Sequence, residues 1–361
     1  MKIALLTHNV NGGLVQYLSQ LANALAPKLD LVVFAPEGLD PSRFPFAPGV
    51  RIRRLPVGNV VRTFVTNTLL VWRPLGFLRA LRDEAPDLLH FNGTSLWYGL
   101  LLPVLSRRFP IMVTVHDVAP HTGSRAWDQD LARSLFLKYA DAVFVHGEWA
   151  RRQLGAGVPA YVIPHGDYSF FTEQGDETPV EEEDAVLFFG RIEEYKGLRY
   201  LLEAMPLVWA QSPATRLIIA GSGSLVACGD LLGDERIELV NRFIEDREVP
   251  GFFRRARAVV LPYIEGTQTG VIPIAYAFRR PVVVTDVGSI PEVVEEGRTG
   301  YIVPSRAPEA LADAILKMLQ NEPLRTAMGT AAHEKMTREL SWGPISDRTI
   351  AAYREVMERA R

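Results

Sequence analysis

At 361 residues, with 48% hydrophobic and 22% charged side chains, the chain is too long for one compact core and too apolar to be disordered, so two globular domains are expected. Its net charge of -3, without a dense basic stripe interleaved with aromatics, argues against nucleic acid as a partner. The single cysteine, Cys228, permits no intramolecular disulfide and points to a reducing compartment. The charge is uneven: residues 1–170 hold 17 Lys/Arg against 12 Asp/Glu, and residues 171–361 hold 22 against 30, which is compatible with an anionic ligand on the first half or with plain solvation.

The opening apolar run reaches His8 and Asn9 before a signal-peptide core forms, so Lys2 to Thr7 reads as a first buried strand. No run of about 18 apolar residues follows, which leaves cytoplasmic residence as the expectation. Gly12 and Gly13 stand between this strand and the helix-like Gln16 to Ala26. There they offer backbone N–H groups to an anion, or simply a tight turn. Strand-like runs recur at Leu31 to Ala35, Leu88 to Phe91, Ile111 to Val115, Ala142 to Val145 and Ala160 to Ile163. His116 and Asp117 follow the fourth of the six, where the histidine either bonds a sugar hydroxyl or is structural.

Val60 to Arg82, apolar with Arg62, Arg73, Arg79 and Arg82 interspersed and preceded by Arg51, Arg53 and Arg54, reads either as a peripheral contact for an anionic membrane or as a buried helix pair broken at Pro74. Asp128-Gln-Asp130 spells a D-x-D pattern but precedes a helical run, where acidic residues suit the dipole. His116, Asp117, His121 and Asp128 lack compact metal-ligand spacing, so no metal site is expected. Residues 1–170 are taken as one domain and the acidic segment 171–184 as a linker.

The alternation of strand and helix restarts at Ala185 to Phe189 and continues through Arg216 to Ala220, Ile237 to Leu239, Ala258 to Leu261, Val282 to Thr285 and Gly300 to Val303. Two doubly wound, Rossmann-like parallel-sheet domains result, the second over 185–340. A helix over 341–361 follows, packing on its own domain or back on the first. After Phe189, the segment from Gly190 to Gly197 places Arg191 and Lys196 between two glycines, a plausible diphosphate clamp or an ordinary pair of surface cations. The loop after Leu261 carries Glu265, Thr267, Gln268, Thr269, Gly270 and Val271, suited to a sugar phosphate or to a plain polar turn. Gly221-Ser-Gly-Ser224 lacks the nucleophile elbow of serine hydrolases.

Asn11-Gly-Gly13, Val115-His-Asp117, Ile163-Pro-His-Gly166, Phe189 to Gly197, Ala220-Gly-Ser-Gly223 and Pro281 to Glu292, in this order, resemble family four of the retaining glycosyltransferases with the GT-B architecture. The resemblance implies that Gly12, Gly13 and Gly190 line a donor diphosphate, Arg191 and Lys196 bind it, His116 contacts the transferred sugar, and Phe243 and Ile244 hold the nucleobase. It departs at one place: the family's two glutamates, eight residues apart, fall on Gly266 and Ile274 in an ungapped register, while a shift of one residue recovers Glu265 but sets Pro273 opposite the second, so at least one carboxylate is missing in either. Thr267, Gln268 and Thr269 are then candidates for replacement contacts.

The expected function is a metal-independent, hexosyltransferase-type transfer, with no cofactor, of sugar from a nucleotide-diphosphate sugar to a carbohydrate or lipid-linked acceptor in glycan, polysaccharide or glycolipid synthesis. A sugar-nucleotide epimerase, a phosphorylase and a non-catalytic binding subunit are alternatives on the same fold. Oligomeric state is not legible.

Overall fold

The computed structural model describes residues 1–55, 72–119, 127–173 and 181–360. Among them, two compact units separate: residues up to Gly166 with those from Trp342 onward, and residues Asp167 to Ser341.

The first unit holds β1 (Lys2–Leu6), β2 (Asp30–Pro36), β3 (Arg51–Leu55), β4 (Leu88–Asn92), β5 (Ile111–Thr114), β6 (Ala142–Val145) and β7 (Ala160–Val162). They form a parallel sheet in the order β3-β2-β1-β4-β5-β6-β7. Inner strands read as continuous aliphatic runs because both faces are covered. Ile3 and Leu5 enter the core beneath the helices Gly13–Leu25 and Trp342–Arg359, while Ala4 and Leu6 face the core on the other side, the period of two that a strand imposes.

Strand β3, sequence Arg-Ile-Arg-Arg-Leu, is absent from the expected set and gives its arginines partners within the first unit. Arg51 pairs with Asp30 at 2.8 Å, Arg53 pairs with the buried Glu84 at 2.6 Å, and Arg54 donates to the Glu37 and Leu39 carbonyls. Burial pushes the Glu84 carboxyl up, but hydrogen bonds from Lys2 and Arg53 outweigh it and hold the group below its ordinary value. The edge is thus blunted by charge, as exposed strand edges require. Residues 60–71 of the apolar, basic segment, including Arg62, lie outside the described residues, as does His121.

The C-terminal helix belongs to the first unit, where it buries Ile345, Ile350, Tyr353 and Val356. Tyr353 Oη lies 2.6 Å from His90 Nδ1. At Gly166 a β-carbon would sit 2.2 Å from the Trp342 ring, so this junction admits only glycine without repacking.

The second unit holds β8 (Ala185–Phe189), β9 (Arg216–Ala220), β10 (Ile237–Val240), β11 (Ala258–Leu261), β12 (Val282–Thr285) and β13 (Gly300–Val303) in the parallel order β10-β9-β8-β11-β12-β13. Residues 171–173 and 181–184, taken in the sequence as linker, are built into this unit. Phe171 is in its core, Glu182 pairs with Arg280, Glu183 with Arg255 and Arg216, and Asp184 with Arg257. Gly175 and Pro179 lie outside the described residues. Among the described residues no helix is long and apolar enough to cross a membrane.

Candidate active site

In both sheets the strand order reverses beside the first strand, between β1 and β4 and between β8 and β11. Open parallel sheets bind ligands at such switch points, outside the carboxyl ends of the strands.

In the second unit, the loop after β8 is held by close backbone approach. A β-carbon at Gly221 would lie 1.9 Å from the Gly190 carbonyl oxygen, and one at Gly197, whose φ is +66°, would lie 1.9 Å from that of Pro262. The loops after β8, β9 and β11 therefore pack as one body. They deliver the two expected cations to different places. Lys196 is 9% exposed; its Nζ lies 5.0 Å from the Tyr263 ring centroid and 3.0 Å from where a Gly190 β-carbon would be. No described carboxylate lies within salt-bridge distance of it. Arg191 is 70% exposed and pairs with Glu193 at 2.7 Å. The sequence reads the two as equals; one is a buried amine with no counter-ion among the described residues and the other an exposed guanidinium already paired.

The loop after β11 runs along the same switch point. Ile264 N donates to Tyr195 O at 2.8 Å, Thr269 Oγ1 accepts from Val271 N, and Thr267 O accepts from Ser289 N. Thr267 is buried, as is Gln268 Oε1, which has no hydrogen-bond partner, and Ser289 Oγ shares that state. A β-carbon at Gly270 would lie 3.2 Å from the Tyr168 ring. Ile274 and Pro273, the two residues that the alternative registers set opposite the family's second glutamate, are both buried. Beyond β10, Ile244 is buried and Phe243 half exposed, and Asn241 Oδ1 accepts from Gly223 N at 3.0 Å, tying that strand end to the glycine turn after β9.

In the first unit, Gly12 adopts φ +85° and begins the Gly13–Leu25 helix without a side-chain cap. Both glycines are exposed. Gly93, at φ +91°, ends β4 against His8 Cε1. His116 is buried, and both its ring nitrogens are engaged: Nε2 lies 2.9 Å from Asn92 Oδ1, Nδ1 lies 3.0 Å from His146 Nε2. In this conformation neither nitrogen is left for a sugar hydroxyl. Asp117 is exposed beside it. Asp128 and Asp130 lie in the first turn of the Trp127–Tyr139 helix, with Asp130 paired to Arg133. Among the described residues no three His, Cys, Asp or Glu side chains converge as metal ligands.

Sequence reading missed the extent of the histidine group. His8, His116, His146 and His165 follow β1, β5, β6 and β7 within three residues, and His90 lies in β4. Tyr17 sets its ring edge-on to His116, His146 and His165 at centroid distances of 5.1, 5.4 and 5.2 Å. Burial lowers His8 to about 4, His90 to about 3, His146 to about 3 and His165 to about 4. The signal was a histidine repeated at one end of successive parallel strands, invisible until each was placed on the same sheet edge.

Residues 183–321 match the family described as Glycosyl transferases group 1, and residues 12–166 match the Glycosyl transferase 4-like domain. The phosphatidyl-myo-inositol mannosyltransferase of Mycobacterium tuberculosis is 27% identical over 283 residues, 75% of this chain and 74% of the relative. Sucrose-phosphate synthase from Thermosynechococcus elongatus superposes with a TM-score of 0.79 at 22% identity over 99% of both chains. Anabaena HepE in complex with UDP-glucose gives 0.73 at 17% identity over 98% of this chain and 100% of that one. Both share the two-domain GT-B fold. With matches in both units and the glycine, histidine and basic motifs in order, the chain belongs to family four, the group 1 glycosyltransferases.

Proposed function

We propose that this glycosyltransferase moves a hexosyl group from a nucleotide-diphosphate sugar to an acceptor hydroxyl in glycan or glycolipid synthesis, with retention of configuration and without a metal ion. The observation that carries the reading is Lys196: a buried amine without a carboxylate partner among the described residues, beside a glycine turn at a switch point. Burying a cation is costly unless an anion compensates it. A diphosphate leaving group supplies that anion, and its charge grows as the glycosidic bond breaks, so Lys196 favours the transition state over the ground state. Arg191 joins it after exchanging Glu193 for phosphate. Thr267, Gln268 and Thr269 take the polar contacts that the family's glutamates make elsewhere, and Phe243 and Ile244 border the nucleobase. In the first unit, the uncapped start of the Gly13–Leu25 helix presents Gly12 and Gly13 N–H groups to phosphate oxygen.

Neither Asp117 nor Glu265 is a compelling nucleophile for a double displacement, which favours attack from the leaving-group face, with a phosphate oxygen receiving the acceptor proton. The UDP-glucose held by the Anabaena protein supports a nucleotide-sugar donor, and the name of the mycobacterial relative supports a lipid-linked acceptor. In the first unit Leu75, Leu100, Val104, Trp127 and Leu131 are exposed on three helices. With them are exposed Arg79, Arg82, Arg107 and Arg108, a composition suited to peripheral contact with an anionic membrane. A screen of nucleotide sugars for thermal stabilisation, followed by NMR assignment of the product anomer with lipid and soluble acceptors, tests the reading. An inverted anomer, or donor isomerisation without transfer, would contradict it.

A further inference from the structure

Three contacts in the first unit demand more protons than two neutral imidazoles hold. Asn92 Nδ2 donates to Leu14 O at 2.7 Å, which fixes the amide's orientation, so Oδ1 accepts and His116 Nε2 must carry a proton. Ile163 O, 3.0 Å from His146 Nδ1, also only accepts, so Nδ1 must carry a second. The middle contact, His116 Nδ1 to His146 Nε2 at 3.0 Å, needs a third on one nitrogen or the other. Two neutral rings supply two protons. All three hydrogen bonds form only when the pair holds one more and is, in sum, an imidazolium.

Burial opposes that charge. It lowers His116 well below the ordinary imidazole value, with neighbouring histidines adding to the effect, and it takes His146 to about 3. The titratable groups facing the pair are His8 after β1, His90 in β4, His165 after β7 and Tyr17 of the Gly13–Leu25 helix; Asp117, next in the chain, is exposed. The ligand-free pair is therefore neutral, and one link of the chain lacks its proton. An anion nearby reverses the balance, because opposite charge favours the protonated form. The chain leads to such a place: the Leu14 carbonyl held by Asn92 belongs to the turn that Gly12 and Gly13 open, at an uncapped helix start.

We propose that the His116–His146 pair takes up one proton from solvent when a phosphate group binds at the Gly12–Gly13 turn, and returns it on release. His146 is then a positioning residue that gives this sheet edge a positive charge only in the bound state. The inference rests on the reading of that turn as a phosphate site.

Calorimetric titration of the full chain with UDP and with GDP, in two buffers of different ionisation enthalpy, counts the protons. Work at pH 7.5 and 8.5 lies above the phosphate's own second pKa of about 6. Uptake of a fraction of one proton, larger at pH 7.5 than at pH 8.5, is expected, with affinity falling by less than about tenfold between the two pH values. In His146→Gln the side-chain amide donates to neutral His116, so binding should persist without uptake or pH slope. Asn92→Leu removes the uptake by another route, because neutral His116 is then free to carry its proton on Nδ1 and donate to His146 Nε2 without a third proton, and it covers the case in which the glutamine variant does not fold. Binding by the wild type without uptake, or uptake unchanged in the variants, overturns the proposal and leaves Lys196 untouched. Failure of the folded chain to bind either nucleotide overturns the phosphate-site reading together with it.

Discussion

The two sheet edges share a strand order up to the added β7, a switch point beside the first strand and a glycine turn after it, yet they are furnished with different kinds of charge. The second unit holds the amine of Lys196, buried without a carboxylate partner among the described residues. The first holds imidazoles kept neutral by burial. A lysine offers a point charge to an anion from one side chain, whereas an imidazole pair is charged only when its surroundings favour it. Equivalent places in two copies of one architecture therefore need not do equivalent work.

The largest test of this contrast is Lys196→Ala, expected to lower kcat/KM for sugar transfer by about 10² to 10³, the effect of removing one preorganised donor from developing charge. Far-UV circular dichroism should be unchanged. A smaller structural effect is expected in the first unit, where Gly166→Ala drives a methyl into the Trp342 ring. Overpacking of this kind costs about 1–3 kcal/mol, read as a lower denaturant midpoint and as loss of amide protection in the Trp342–Arg359 helix.

Acid should separate the units. His8, His90, His146 and His165 have folded pKa values depressed to about 3–4 from 6.5. The unfolded chain then binds more protons below 6.5, and stability is complete above that value and is lost as pH falls toward the folded values. The loss is on the order of 1 kcal/mol per imidazole for each pH unit. The second unit's Glu183 and Glu238 are held down by hydrogen bonds from Arg255, so their contribution persists until pH falls below about 4.5, the ordinary glutamate value. Hydrogen exchange at pH 5.5 should show the first unit opening before the second; simultaneous opening would erase the distinction. The smallest effect is Arg191→Ala, at most about tenfold in kcat/KM, because an exposed, paired guanidinium is worth little before ligand arrives. Losses equal to those of Lys196→Ala would restore the symmetric clamp.

Much of the fold was legible because buried parallel strands are continuous aliphatic runs, as in Val282 to Thr285 or Leu31 to Ala35. Strand β3 was not, since an edge strand of three arginines carries no apolar signature and its pairing with Asp30 and Glu84 is long-range. At the candidate site, the glycine turns and both cations could be named from spacing alone. Their environments could not: the burial of Lys196 depends on Tyr263, and the neutralisation of Arg191 on the local pair with Glu193. His116 was singled out, but its commitment to Asn92 and His146 arises only when β4, β5 and β6 lie side by side.

The claim that Lys196 is the anchor of the donor diphosphate is tested most directly by titrating the wild type and the folded Lys196→Ala variant with UDP and GDP, with Lys196→Arg beside them. The expected result is saturable binding of at least one nucleotide by the wild type, weakened by about 10² or more in the alanine variant and partly restored by arginine, as the loss of a charge-assisted contact to phosphate requires. Equal affinities for wild type and Lys196→Ala would contradict it.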